Sequence, residues 1–359
     1  MTTFADRPVP EWFAKPQLGI FVHWTMASVP AFAPLSDDPF TLAEEHGWEY
    51  AMANSPYVEW YENSLAIAGS PVARFHKEHY GDQPYAEFAD EWRTAMALWD
   101  ATTWAASFKD AGATYVVLVT KHHDGFCLWP SDVEHPTRAN WKSERDLVGE
   151  LANAVRAAGM RFGVYYSGGL DWTFVGPDSG SPITSFHAML ATIPKSDDYL
   201  AYATAHWYEL IDRYQPDVLW NDIHWPISGE PLFQYFYEQR PEGVVNDRFD
   251  MRGVAKGTSH ADFVTPEYRS RPSGDNPKKF EVCRGIGRSF GYNALETEAD
   301  YLSVPALLQL HDDVLAAGGN LLLNVGPMAD GRIPTEQLDR LRALGEHRRG
   351  VEEGASKNP

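Results

Sequence analysis

The sequence predicts an α/β fold, an irregular (β/α)8 (TIM-like) barrel, and three observations carry that expectation. The chain has 359 residues, 44% hydrophobic and 22% charged, which suits one large packed core. Short apolar runs recur along it and are apolar on successive residues, as in Val116-Val117-Leu118-Val119 and Leu321-Leu322-Leu323. Strands buried on both faces have that pattern. Between several of these runs lie longer segments whose apolar residues recur at about 3.6 residues, as helices require.

Taken in order, the first strand is expected at residues 19–24. Residues 25–83, rich in proline and aromatics, read as loop and helix over the barrel mouth. A helix over 84–111 leads to a strand at 115–123, and a helix over 144–158 to a strand at 162–167. Helices over 197–213 and 231–240 precede strands at 218–222 and 244–248. Strands follow at 263–268 and 280–284, each preceded by loop instead of helix, so the later barrel is expected to be irregular. A helix over 305–317, a strand at 320–326 and a helix over 335–348 complete the eight units. Pro305 and Pro334 stand where helix starts tolerate proline, and Gly112, Gly159 and Gly318 punctuate helix ends. Residues 1–349 are thus expected to form one barrel domain, and 350–359 a frayed tail.

Composition narrows the partners. With 30 Lys+Arg against 50 Asp+Glu the net charge is −20, which repels phosphate backbones and anionic membranes. No nucleic-acid or membrane partner is expected. The two cysteines, Cys127 and Cys283, are too few for a disulfide framework or a thiolate metal site. The first fifteen residues lack a cationic start followed by an apolar stretch, and no apolar run approaches the ~20 residues of a membrane span. The expected setting is cytoplasmic. Aromatics are plentiful, at 13 Trp, 17 Tyr and 18 Phe, and serve either a core or the faces of sugar rings.

In such barrels the active site lies at the C-terminal ends of the strands. Here those ends carry His23-Trp24, Lys121-His122-His123-Asp124, Tyr165-Tyr166-Ser167, Trp220-Asn221-Asp222, Asn246-Asp247-Arg248, Glu267-Tyr268 and Arg284. Seven polar endings are hard to explain as packing alone. A metal site is disfavoured, because no HxH or HExxH spacing exists and the adjacent His122 and His123 should point to opposite faces of a strand. No cofactor fingerprint or GxSxG elbow is present either. Carboxylates among imidazoles and indoles are the equipment of glycoside hydrolysis. Asp222, ending an otherwise apolar strand, is a nucleophile candidate or a capping aspartate; Glu267 taken alone reads as a loop acid.

Longer motifs resolve that choice. WFAKPQLGIFVHW (12–24), EWYENS (59–64), FKDAGATYVVLVTKHHDGFCLWPS (108–131), RDLVGELANAVRAAGMRFGVYYSGGLDW (145–172) and ELIDRYQPDVLWNDIHWP (209–226) are followed by FGYN and GGNLLLNVGPMADGRIP. In content and order these resemble the α-L-fucosidases of glycoside hydrolase family 29. The resemblance implies a retaining double displacement, with Asp222 as nucleophile and Glu267 as acid/base. Glu59 is the rival acid/base, expected instead to serve the pocket's hydrogen bonding. The resemblance also implies fucose contacts from His23, Trp60, His122, His123, Tyr165, Trp220, Arg248 and Phe290. It implies a fucosylated oligosaccharide or glycoside as substrate; no metal and no cofactor are expected from the spacings above. The alternatives are a non-catalytic fucose-binding barrel and a glycosidase of a related sugar. Members commonly continue into a C-terminal β-sandwich; this sequence stops after the last barrel helix, as a barrel-only member or a truncated one, and an oligomer covering the face left by the sandwich is expected.

Overall fold

The computed structural model describes Phe4 and residues 6–177, 181–268 and 279–357. Seven strands form one parallel sheet: β1 (Leu18–Val22), β2 (Tyr115–Lys121), β3 (Arg161–Ser167), β4 (Val218–Asp222), β5 (Val244–Val245), β6 (Glu281–Gly285) and β7 (Asn320–Val325). Their order is β5-β4-β3-β2-β1-β7-β6, and helices pack outside the curled sheet. The architecture is the irregular (β/α)8 type, with seven regular strands in place of eight.

The strand residues divide by parity, as a pleated chain must. Phe21, Tyr115, Val117, Val119, Tyr165, Val218, Trp220 and Leu322 fill the barrel interior. Val116, Leu118, Val164, Tyr166, Leu219, Leu321 and Leu323 face the helices instead. Both sets are buried, which explains the uninterrupted apolar runs. The same parity sends Tyr165 inward and Tyr166 outward.

The missing strand has a local cause. Residues 263–268 make only single bridges, Phe263 to Asn246, Val264 to Phe280 and Glu267 to Cys283. Pro266 lies among them and has no N–H to give a ladder. The neighbouring β5 is cut to two residues because the Asn246 side chain takes over its pairing. That amide accepts from Asn221 N (3.1 Å) and donates to Asn221 O (2.9 Å). The chain then turns into a short 3-10 helix, Asp247–Phe249. A short helix, Met251–Lys256, stands where only loop was expected; the residues between 268 and 279 lie outside those described.

Most helices fall where the apolar spacing places them, with explicit caps. Asp146, Ser196 and Ser303 accept from the first-turn amides of Leu147–Ala157, Asp197–Tyr214 and Val304–Ala316. The expected helix over 84–111 is broken into Phe88–Ala95 and Ala101–Asp110. Asp100 caps the second piece by accepting from Thr102 N at 2.9 Å. The last helix, Thr335–Lys357, runs on through residues expected to fray. Among the described residues no helix is long and apolar enough to cross a membrane.

Candidate active site

One cavity of about 870 Å³, its open mouth included, lies at the C-terminal ends of the strands. All eleven residues singled out from the sequence line it: Asp222, Glu267, His23, Glu59, Trp60, His122, His123, Tyr165, Trp220, Arg248 and Phe290.

Its base is organised by Arg248. Its Nη1 donates to Asp222 Oδ1 (2.9 Å) and its Nη2 to Glu267 Oε2 (2.8 Å), so one guanidinium spans both carboxyl groups. Nε is fixed on Thr265 Oγ1 (3.0 Å), and the cation lies 4.6 Å from the Trp220 ring centroid. Asp222 also accepts from the Tyr165 hydroxyl (2.8 Å) and the Ile223 amide (2.8 Å). Ile223 has φ 65°, the left-handed region that a β-branched residue enters only under strain of ~1–3 kcal/mol. That strained turn aims its N–H at the carboxylate. Tyr57 donates to Glu267 Oε1 at 3.2 Å.

The imidazoles are held neutral, and those of His23 and His123 in defined tautomers. Burial lowers the pKa of His23 to about 4 and those of His122 and His123 well below the usual value. His23 Nδ1 meets Asn324 Oδ1 at 2.6 Å, so Nδ1 carries the proton and Nε2 is the bare nitrogen. Ser167 donates its hydroxyl to Leu170 O (2.6 Å), so it accepts from His123 Nδ1 at 2.6 Å. His123 therefore also keeps Nε2 as an acceptor. Sugar hydroxyls are the natural donors to such nitrogens. His122 stacks on Tyr165 with ring centroids 5.6 Å apart.

The expectation that His122 and His123 diverge is corrected. The strand ends at Lys121, and both rings turn into the cavity with centroids 4.0 Å apart. Strand parity does not govern residues past the last ladder bond. They nevertheless form no metal cluster: among the described residues the one group spaced to hold an ion is His311, Asp312 and His347, none of which lines the cavity.

Glu59 is buried in the cavity wall, its Oε2 accepting from Gly291 N (2.9 Å) and Ser289 Oγ (3.2 Å), and burial raises its pKa to about 7. Trp60 packs edge-on against His123 at 5.1 Å, and Phe290 lies 4.9 Å from His23.

Other strand-end groups stay out of the cavity. Trp24 packs among Trp92, Trp99 and Trp104. Lys121 makes a fully buried ion pair with Asp171 at 2.7 Å. Asp247 accepts from Thr265, and Arg284 lies by the Tyr268 ring.

Several supporting residues escaped sequence reasoning: Tyr57, Asn324, Ser167 as a partner, and Glu281. Glu281, at the start of β6, accepts from Trp220 Nε1 at 3.0 Å and from the Tyr115 hydroxyl. Asn324 was visible within the LLLNVGP motif; Glu281 carried no signal beyond a lone acid in an apolar strand.

A barrel that gathers an acid pair, neutral imidazoles and an indole at its strand ends is built as a glycosidase. The α-L-fucosidase family model matches residues 1–351. The tissue α-L-fucosidase of Bos taurus is 32% identical over 358 residues, covering 95% of this chain and 67% of that protein. The Thermotoga maritima α-fucosidase, solved in complex with a mechanism-based inhibitor, is 45% identical with a TM-score of 0.83, covering 96% of this chain and 74% of that one. A Thermotoga maritima α-L-fucosynthase in complex with α-L-Fuc-(1-2)-β-L-Fuc-N3 is 44% identical, with a TM-score of 0.84 over 96% of this chain and 75% of that one. The chain belongs to the α-L-fucosidase family and is a glycoside hydrolase.

Proposed function

We propose that the chain is a retaining exo-α-L-fucosidase that releases terminal α-L-fucose from fucosylated glycans or glycosides. Asp222 attacks the anomeric carbon while Glu267 gives its proton to the departing glycosidic oxygen. A covalent fucosyl ester on Asp222 results. Glu267, now a carboxylate, takes a proton from water, whose oxygen attacks the same carbon and frees Asp222. Two displacements return the original configuration.

The observation that carries this reading is the Arg248 fork, which gathers both acids on one guanidinium. A retaining pair needs carboxyl groups about 5–5.5 Å apart, against about 6.5–9.5 Å for inversion. The bare Nε2 atoms of His23 and His123 suit sugar hydroxyls, and Tyr165 orients the nucleophile. A cytoplasmic setting belongs to the same proposal and is supported by two buried free thiols.

One observation favours a second reading, in which Glu59 is the acid/base: its pKa of about 7 suits a general acid. Azide separates the two. With an aryl α-L-fucoside, Asp222→Ala should lose at least about a thousandfold in kcat. Azide should restore Glu267→Ala through a fucosyl azide of retained configuration, and Asp222→Ala through the inverted one. Parent-like activity in Asp222→Ala sinks the nucleophile assignment. Rescue of Glu59→Ala instead of Glu267→Ala moves the acid/base role to Glu59.

A further inference from the structure

The cavity changes character from base to mouth. Its ionisable groups sit at the strand ends or on the 57–60 turn, whereas the outer wall comes from two strand-connecting segments. The helices Pro39–His46 and Trp48–Ala53, after β1, bring Phe40, Trp48 and Met52. The helix Phe186–Ala191, after β3, brings Phe186 and Met189, and Ile223 joins them from beside Asp222. Trp48 packs edge-on to Phe40 (5.8 Å, 82°) and lies tilted against Phe186 (5.7 Å, 35°), so the two segments meet through their aromatics. Met52 is buried with Leu170 and Ile183, and Met189 and Ile223 pack on that cluster. None of the six side chains ionises.

Phe40 and Phe186 are 52% and 40% exposed. Leaving such rings wet forfeits the burial energy that large apolar side chains otherwise gain. Exposed apolar groups that continue the wall of a deep pocket mark a surface awaiting a ligand. With the reacting sugar at the two carboxylates, whatever lies beyond the glycosidic oxygen must occupy the space outside them.

We propose that Phe40, Trp48, Met52, Phe186, Met189 and Ile223 form a leaving-group subsite for an uncharged group with an apolar face. That face is either the C–H side of a pyranose or an aromatic aglycone. The proposal rests on the α-L-fucosidase reading of the cavity and adds the chemistry of its leaving group. An anionic group there finds no cation among the six side chains and gives up hydration without return.

The test compares three substrates in the parent, Phe186→Ala and Phe40→Ala. These are α-L-fucosyl fluoride, whose leaving group is too small to reach the mouth, an aryl α-L-fucoside, and a fucosyl disaccharide. Both substituted rings are exposed, so the fold is retained, and fluoride hydrolysis reports the intact base of the cavity. The kcat/KM ratios of aryl fucoside to fluoride and disaccharide to fluoride should fall about two- to twelvefold, the range of one lost aromatic contact. A fall in both ratios supports the shared apolar face, and a fall in the aryl ratio alone supports the aromatic aglycone. Unchanged ratios in both variants overturn the subsite while leaving the fucosidase reading standing. A parent inactive on all three substrates overturns that reading, and the subsite with it.

Discussion

Replacing Glu281 by glutamine isolates the energetic burden of a buried carboxyl beneath the cavity floor. Burial raises its pKa to about 7, against the pull of Tyr115, Trp220, Lys279 and Arg248 in the other direction. In the unfolded chain a glutamate titrates at about 4.3. Between those values the native protein holds a proton that the unfolded chain has released, so stability falls as pH rises through that window. At ~1.36 kcal/mol per pKa unit, the carboxyl is destabilising by ~3–4 kcal/mol above about pH 7. Glutamine keeps an acceptor for the Trp220 indole N–H and does not titrate. Unfolding entropy of about 2.1 cal/mol/K per residue over 359 residues converts each kcal/mol into ~1.3 °C. The Tm of Glu281→Gln minus that of the parent should therefore climb by ~4–5 °C from about pH 4.5 to about pH 8, and be flat beyond. Glu59, Glu62 and Glu296 are raised by burial too, but they cancel in the subtraction. Parallel Tm curves across that range would refute the reasoning.

Two further substitutions probe the geometry of the base. Arg248→Lys keeps the charge but loses the fork, since one ammonium cannot reproduce three directed N–H bonds to Thr265, Asp222 and Glu267. A ~10–100-fold drop in kcat/KM is expected, and parent-like kinetics would show that charge alone suffices. Asn324→Leu removes both the Nδ1 partner of His23 and the donor to Phe290 O, each at 2.6 Å. Kinetics on an aryl α-L-fucoside should show ~10-fold lower kcat/KM; an unaltered value would mean that His23 needs no tautomeric control.

Much of this molecule is legible in its sequence because both faces of its strands are buried. Runs such as Val116–Val119 need no partner to be recognised, and Pro305 marks a helix start. The eleven cavity residues were recoverable because strand ends and motifs point to the same side chains. What escaped is what depends on distant pairing. Nothing local says that Asn246 will spend its amide on Asn221, or that His122 and His123 will turn together once β2 stops at Lys121. Pro266 was visible and should have demoted the expected strand around it. The apolar mouth was illegible for another reason. Phe40, Trp48 and Phe186 are ordinary core-forming residues until the fold leaves two of them exposed.

The two acids stand on walls of unequal strength. Asp222 ends a strand registered to β3 over five consecutive residues, whereas Glu267 hangs on a segment tied by isolated bridges. The barrel therefore has a seam, and Glu267 is mounted on it. Amides along 263–268 should exchange with solvent before those of β4, and drift at the seam moves Glu267 without disturbing Asp222. One carboxyl is thus held by a continuous ladder, and the other by a bridge that can open without loosening it.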